Sequence, residues 1–384
     1  MNLKIALVAN CPISHKSMGG GDRTLIELAK AWQKLGAELT VFGPPESKSV
    51  CQVGGLNVKF IETSKYEAGS LGTTKAYFLR IVGAIFNHQE FEIFDIIYSA
   101  SEALPDVVLS LQIKRQNPKS HWVVGFFLRA RNPVFGEVQF SFSSLLQLVQ
   151  QQASLLLMSL FKVTGVLVAG KPDEKYIQNR GFKNVLKIGG GVDLGFVNSI
   201  PDQEKIYDAC FVGRLSQQKG IDDILPVWQS VTRAKPDAKL AIIGWGHKGE
   251  AEKFRSEIES FGLSKSINFI GFSDGVEKYK VVKSSKISLF PSKYESFGIV
   301  LLESLAAGVP VVAYELPVLK DNFTQGVVYV PLGDRKQMVQ EILKLLGDEN
   351  KVSRKSAEGL QVASLFGWRR LGEETFNYLI NLHE

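Results

Sequence analysis

Residues 287–313 read ISLFPSKYESFGIVLLESLAAGVPVVA. The spacing predicts a strand over 287–291, a loop holding Glu295, a helix starting near Phe297 with Glu303 inside it, and a second strand over 309–313. Two short β-branched strands separated by a helix pair in parallel, so the segment belongs to a parallel sheet covered by helices. Glycine at 308 and proline at 310 punctuate the return from helix to strand.

The same alternation extends outward in both directions. Upstream strands are expected at 208–212, 239–243 and 267–270, and a downstream one at 327–330. The earlier half repeats the pattern, with strands expected at 4–9, 38–42, 58–61, 93–98, 122–126 and 165–169. Its first helix, about 22–35, sets Leu25, Leu28, Ala29, Trp32 and Leu35 on one face and ends at Gly36. Two similar α/β halves follow, each a doubly wound, Rossmann-like sheet. Between them, residues 188–201 (IGGGVDLGFVNSIP) have the glycine content of an interdomain connection. The boundary is therefore expected near residues 190–203, with a ligand in the cleft between domains.

A length of 384 residues suits two such domains. Hydrophobic residues are 45% and charged residues 22%, which excludes a disordered or collagen-like chain. Cys11, Cys51 and Cys210 share no metal-ligand spacing, and a reducing compartment with no metal site is expected. The start of the chain reads as a strand and no apolar run approaches the length of a membrane span, so a cytoplasmic location is expected. Charge is uneven. Residues 1–190 carry 21 Lys and Arg against 14 Asp and Glu, a net +7, and the remainder is close to neutral. A basic half faces a phosphorylated substrate, an anionic membrane surface or nucleic acid. Its cations are dispersed and show no nucleic-acid-binding spacing, so nucleic acid is not the expected partner.

Residues 145–161 (LLQLVQQQASLLLMSLF) read as a strongly apolar helix, and 75–86 (KAYFLRIVGAIF) as a shorter one with Lys75 and Arg80 among its apolar residues. A core helix packed on the sheet is the first reading of the longer segment. An interfacial helix at a membrane surface is the second.

Three loops carry candidate chemistry. Met18-Gly19-Gly20-Gly21-Asp22-Arg23 follows the first strand and opens a helix, where close backbone approach and the positive end of the helix dipole attract an anion. The spacing is not that of a dinucleotide fingerprint, and a plain turn is an equal reading. Arg214 and Lys219, five apart in FVGRLSQQKGID, sit where a strand ends, and their paired cations suit a diphosphate. Arginine supplies a planar fork and lysine a mobile point charge that can follow charge on a leaving group. In the opening segment, Ser296, Phe297, Gly298 and Ile299 would present backbone N–H groups to phosphate oxygens, and Glu295 could accept from sugar hydroxyls. Glu303, on an otherwise apolar helix, needs donors if buried, and ribose hydroxyls would serve.

Taken in order, these motifs resemble the family 4 retaining glycosyltransferases of GT-B architecture. The resemblance rests on the Gly19-Gly20 loop with Arg23, residues 95–101, Gly191-Val192-Asp193, Gly213-Arg214 to Lys219-Gly220, Ile243-Gly244-Trp245-Gly246, residues 269–271, the Glu295/Glu303 pair, Gly326 with Gly333-Asp334, and Trp368. It implies an acceptor-binding domain over 1–190, a nucleotide-sugar donor domain over 203–368, and a closing helix over 369–384 that returns to the first domain. It further implies that Arg214 and Lys219 bind the donor diphosphate, Glu295 the transferred sugar and Glu303 the nucleotide ribose. Gly19 and Gly20 would approach the phosphate, while Phe297 to Val300 line the donor site. Transfer would retain anomeric configuration, the leaving phosphate taking the acceptor proton, with no divalent metal or other cofactor. The expected partners are a nucleoside diphosphate sugar and a hydroxyl acceptor, either lipid-linked or a polysaccharide, at the inner face of an anionic membrane.

One departure stands out. Family members usually place a histidine after a strand of the first domain near the reaction centre, where this chain has WVVGFFLRARNP over 122–133. His121 begins that strand and is expected at the surface. His15 in the first loop is nearer the required edge, and Arg129 or Arg131 could hold a phosphate of acceptor or donor. A nucleotide-sugar epimerase or hydrolase, and a non-catalytic nucleotide-sugar-binding protein, remain alternatives. Trp228, Trp245 and Trp368 are expected to pack, and His247 to be solvated.

Overall fold

The computed structural model describes residues 3–11, 19–65, 72–86, 90–135, 137–138, 140–246 and 249–384. Contacts divide the chain into two compact units, Met1–Gly190 with Trp368–Glu384, and Gly191–Gly367.

The first unit is built on β1 (Lys4–Val8), β2 (Glu38–Gly43), β3 (Lys59–Glu62), β4 (Ile96–Ser99), β5 (His121–Phe126), β6 (Gly165–Val168) and β7 (Val185–Lys187). They form one sheet in the order β3-β2-β1-β4-β5-β6-β7, every pair parallel. The central strands bury both faces. Ile5 and Leu7 meet Leu28, Ala29 and Trp32 of the Gly20–Lys34 helix, while Ala6 and Val8 join Val107, Trp122 and Val124 on the other side. That two-sided burial is why KIALV is uniformly apolar after its first residue. The short, half-buried β7 was not anticipated, since three residues carry no readable period.

Of the apolar face expected on the first helix, Leu25, Leu28, Ala29 and Trp32 are buried, and Ile26 joins them. Leu35 instead is 40% exposed. It lies past the last helical residue, where Gly36 at φ +98° turns the chain away from the sheet. The Trp368–His383 helix packs across this helix, with Trp32 Nε1 donating to Thr375 Oγ1 at 2.8 Å. A β-carbon on Gly372 would lie 2.1 Å from Ala31 Cβ, so glycine permits the close crossing. Trp368, expected in the second domain, therefore opens a helix of the first unit.

The second unit holds β8 (Tyr207–Arg214), β9 (Leu240–Trp245), β10 (Ile267–Gly271), β11 (Ser285–Phe290), β12 (Val311–Tyr314) and β13 (Val327–Val330). They are parallel in the order β10-β9-β8-β11-β12-β13. Of the 188–201 stretch read from sequence as a connection, residues 191–201 belong to this unit. Val192 N–H donates to Phe366 O at 2.8 Å, and Asp193 caps a Leu194–Ser199 helix by accepting from Phe196 N–H. Buried Val197 and Ile200 anchor it, an apolar pair that the glycines around it obscure in the sequence.

The 145–161 segment is a helix from Phe142 to Leu160, but not a core helix throughout. Gln151, Ser154, Leu155 and Met158 are its buried residues, while Phe142, Val149, Leu156 and Leu160 are exposed. Among the described residues no helix is long and apolar enough to cross a membrane.

Each sheet reverses its winding at one pair of neighbours, β1/β4 in the first unit and β8/β11 in the second. The loops leaving the carboxyl ends of such a pair diverge and open the crevice in which doubly wound sheets bind ligands.

Candidate functional site

In the second unit the loops leaving β8 and β11 are joined to each other. Lys293 N–H donates to Gln218 O at 2.8 Å, and Gln218 Nε2 donates to Tyr294 O at 3.0 Å. Gly220 sits in the left-handed region at φ +73°, and a β-carbon there would fall 2.0 Å from Pro291 O. The two loops thus touch backbone to backbone, and glycine is required twice over, for its φ and for the contact.

This junction brings Lys219 to Glu295, with Nζ 2.5 Å from Oε1 and both side chains largely buried. The ammonium also lies 5.9 Å from the centre of the Phe290 ring. Arg214, last residue of β8, is exposed, and among the described residues its guanidinium has no ion-pair partner. One free cation and one cation held by a carboxylate therefore flank the same strand ends.

The helix expected near Phe297 starts at Ile299 and runs to Ala306. Gly298 precedes it at φ +99°, and a β-carbon there would meet Leu319 Cδ2 at 2.8 Å. Leu302 N–H bonds to Gly298 O, so the N–H groups of Ile299, Val300 and Leu301 form the first turn, where no intrahelical acceptor exists. Ser296, Ile299 and Val300 are half-buried at this end. Phe297 points elsewhere. Its ring is 2% exposed and packs against Phe323 and Phe366 at 5.2 and 5.4 Å, so only its backbone is available to line a site.

Glu303 is buried and ion-paired. Lys278 Nζ lies 2.9 Å from its Oε1 and 3.0 Å from Asp274 Oδ1. Lys278 is itself only 6% exposed, and sequence reading missed it. The signal was an i, i+4 Asp–Lys pair on the Gly275–Lys283 helix and its N-cap, which looks like any surface pair. A second omission is Asp223, buried beneath the junction. It accepts from Tyr314 Oη at 3.0 Å and Arg335 Nε at 2.6 Å, and lies 3.4 Å from Lys293 Nζ. Four segments are thereby tied under the loop that carries Glu295. Burial and the adjacent Asp223 push the Tyr314 hydroxyl well above the ordinary phenol range. At the ends of β9 and β10, Trp245 and half-exposed Phe272 meet edge to face at 5.5 Å, beside the loops expected to touch a base.

In the first unit, Gly19 N–H donates to Asp22 Oδ2 at 2.8 Å, and Gly19 O accepts from Arg23 N–H. The helix entrance thus already carries a carboxylate, whose pKa burial raises. Gly20 is the first helical residue, and a β-carbon on Gly21 would meet nothing within 4 Å. His15 and His247 lie outside the described residues. Arg129 pairs with Glu137 and lies over the Tyr176 ring at 5.2 Å, while Arg131 is half-buried in the same loop. His121 is the first residue of β5 and faces His383 edge to face at 6.1 Å.

The carboxyl edge of β1 and β4 holds a buried polar group that sequence reading also missed. Asp106 accepts from Asn10 N–H, Cys11 N–H and Ser101 Oγ at 2.5 to 2.7 Å. Glu102 accepts from Gln151 Nε2 at 2.8 Å, and Ala130 N–H donates to Gln151 Oε1. Burial pushes both the Glu102 and Asp106 carboxyls up to about 7, against their hydrogen bonds.

Residues 196–361, within the second unit, match the family model described as glycosyl transferases group 1. The phosphatidyl-myo-inositol mannosyltransferase of Mycobacterium leprae is 30% identical over 193 residues, 48% of this chain and 50% of that protein. The chain spans about half or less of the length of the curated relatives it matches. Among solved structures, Anabaena Alr3699/HepE in complex with UDP and glucose superposes with a TM-score of 0.74 at 17% identity, covering 99% of this chain and 100% of that one. Sucrose-phosphate synthase from Thermosynechococcus elongatus gives 0.73 at 16% identity, covering 99% of both chains. The fold is that of the GT-B glycosyltransferases.

Proposed function

We propose that the chain is a retaining glycosyltransferase that moves a sugar from a nucleoside diphosphate sugar to a hydroxyl acceptor. The carrying observation is the junction of Arg214, Lys219 and Glu295 at the point where the second sheet reverses its winding, inside the segment that matches the group 1 model.

On this reading the donor diphosphate lies at the carboxyl ends of β8 and β11, its oxygens taken by Arg214, by Lys219 and by the first-turn N–H groups of the Ile299–Ala306 helix. Phosphate competes with Glu295 for Lys219. When Lys219 turns to the phosphate, the Glu295 carboxylate is released to accept from hydroxyls of the transferred sugar. As the bond from the anomeric carbon to the diphosphate oxygen breaks, negative charge grows on the leaving phosphate, and the two cations stabilise it. That phosphate oxygen takes the proton of the acceptor hydroxyl, whose oxygen forms the new bond on the same face of the sugar. Charge neutralisation by Arg214 and Lys219 is the work a divalent cation would otherwise do, so transfer is proposed to be metal-independent. Glu303, buried against Lys278, is proposed to hold the nucleotide ribose, with Lys278 fixing the carboxylate. The first unit would present the acceptor, a lipid-linked sugar or a growing polysaccharide.

The test is calorimetric titration of UDP, GDP, ADP and their sugar conjugates into the wild type and Arg214→Ala. Binding of one nucleotide, weakened about 10- to 100-fold by Arg214→Ala, supports the donor site. Absence of binding by all of them rules it out. Binding without turnover across acceptors favours the non-catalytic reading, and release of free sugar or an epimer without acceptor favours the hydrolase or epimerase.

A further inference from the structure

On the first unit, the Thr73–Ile85 and Phe142–Leu160 helices both pack on the Leu104–Gln116 helix, and Tyr77 Oη donates to Gln150 Oε1 across them at 2.5 Å. Their inward faces meet the needs of folding. Ala76, Arg80 and Ala84 are buried on one helix, and Gln151, Ser154, Leu155 and Met158 on the other. Arg80 forms a fully buried ion pair with Glu46 at 2.7 Å.

Their outward faces should then be polar, and they are not. Phe78, Val82 and Ile85 follow Lys75 at helical spacing and are about half exposed. Phe142, Val149 and Leu156 are seven residues apart, Leu160 follows one turn later, and all four are more than half exposed. Phe135 and Phe140, in the loop entering the second helix, are 84% and 65% exposed. In chain order both helices come after the carboxyl ends of sheet strands, β3 and β5.

The charge around this face is net positive, since Glu137, between Phe135 and Phe140, is already paired with Arg129. No Asp or Glu occurs in residues 68–89 or 138–172, and Lys75, Lys162 and Arg115 flank the apolar rows, Arg115 lying 5.6 Å from the centre of the Phe161 ring. A second copy of the chain would bring like charges together. An anionic surface with an apolar interior complements both properties at once.

We infer that this face seats on an anionic lipid bilayer, with the two helices lying along the membrane surface and the phenylalanines entering the headgroup boundary. The inference deepens the glycosyltransferase reading, and rests on it, in one respect: the acceptor is then lipid-linked and reaches the sheet edge from the membrane.

The test is flotation of the full chain with vesicles of phosphatidylcholine alone and of equal parts phosphatidylcholine and phosphatidylglycerol. Two variants accompany it, Phe142→Ser/Val149→Ser/Leu156→Ser and Lys75→Glu/Lys162→Glu. The wild type is expected to float with anionic vesicles only, and each variant to lose at least about tenfold in partitioning, with circular dichroism and UDP binding unchanged. No flotation of the wild type, flotation that neither variant alters, or a wild-type dimer that the serine variant dissociates would each overturn it. UDP binding is read separately, so a failed donor site and a failed membrane face give different results.

Discussion

Lys219 and Glu295, 76 residues apart in sequence, meet with 2.5 Å between Nζ and Oε1 in a largely buried pair. On the proposed function, the ammonium assigned to the donor phosphate rests on the carboxylate assigned to the donor sugar, and each would be freed when the other is engaged.

Exchange of partners predicts opposite effects of the two substitutions on binding. Lys219→Ala should weaken nucleoside diphosphate binding about 10- to 100-fold, the loss of a charged hydrogen bond. Glu295→Gln should leave that affinity equal or tighter, because Lys219 is released, yet lower turnover at least about 100-fold. Calorimetry beside steady-state kinetics separates them. Weakened nucleotide binding in Glu295→Gln would contradict the exchange.

Gly220→Ala removes no polar group. Its methyl nevertheless meets Pro291 O in a backbone conformation that L residues rarely adopt. A loss of about 1–3 kcal/mol in stability is expected, together with weakened nucleotide binding as the two loops part. Denaturant melts and the same titrations measure both.

The Arg80–Glu46 pair is fully buried. Arg80→Ala removes this ion partner from a buried carboxylate and should cost about 3–5 kcal/mol, whereas Arg80→Met with Glu46→Leu should recover most of that loss. Chemical denaturation of the single and double variants tests the relation, and equal losses in both would refute it.

The carboxyls of Glu102 and Asp106 titrate near 7 in the folded chain, above their unfolded values. The folded state then binds more protons than the unfolded state between roughly pH 4 and 7. Stability should therefore fall as pH rises through that window and level off above it. Thermal melts across pH should show this slope, and Glu102→Gln should flatten it. A slope identical in the variant would show that Glu102 does not contribute.

Local signals carried much of this. The strand–helix alternation around 287–313 shows the parallel sheets, since a two-sided buried strand must be apolar along its length. Glycines at 220 and 298 mark turns where a β-carbon has no room. Charged residues at strand ends were legible as a candidate site because doubly wound sheets bind ligands there. The Asp223 hub was not legible, because its partners Lys293, Tyr314 and Arg335 are separated by up to 112 residues. Lys278 was missed for a related reason, since its burial against Glu303 depends on a neighbouring helix. The 142–160 helix shows the converse. Its apolar residues exceed what one buried face needs, and the sequence cannot say which of them face inward.

Sequence alone determined the α/β class, the repetition of two such halves and the residue types at the strand ends, because each depends on backbone period, turn conformation and near neighbours. Tertiary structure alone decided that Lys219 rests on Glu295, that Lys278 neutralises Glu303 and that the Phe142–Leu160 helix turns an apolar face outward. Those pairings form between segments distant in the chain, where the strand order and the close contact at Gly220 set which side chains meet.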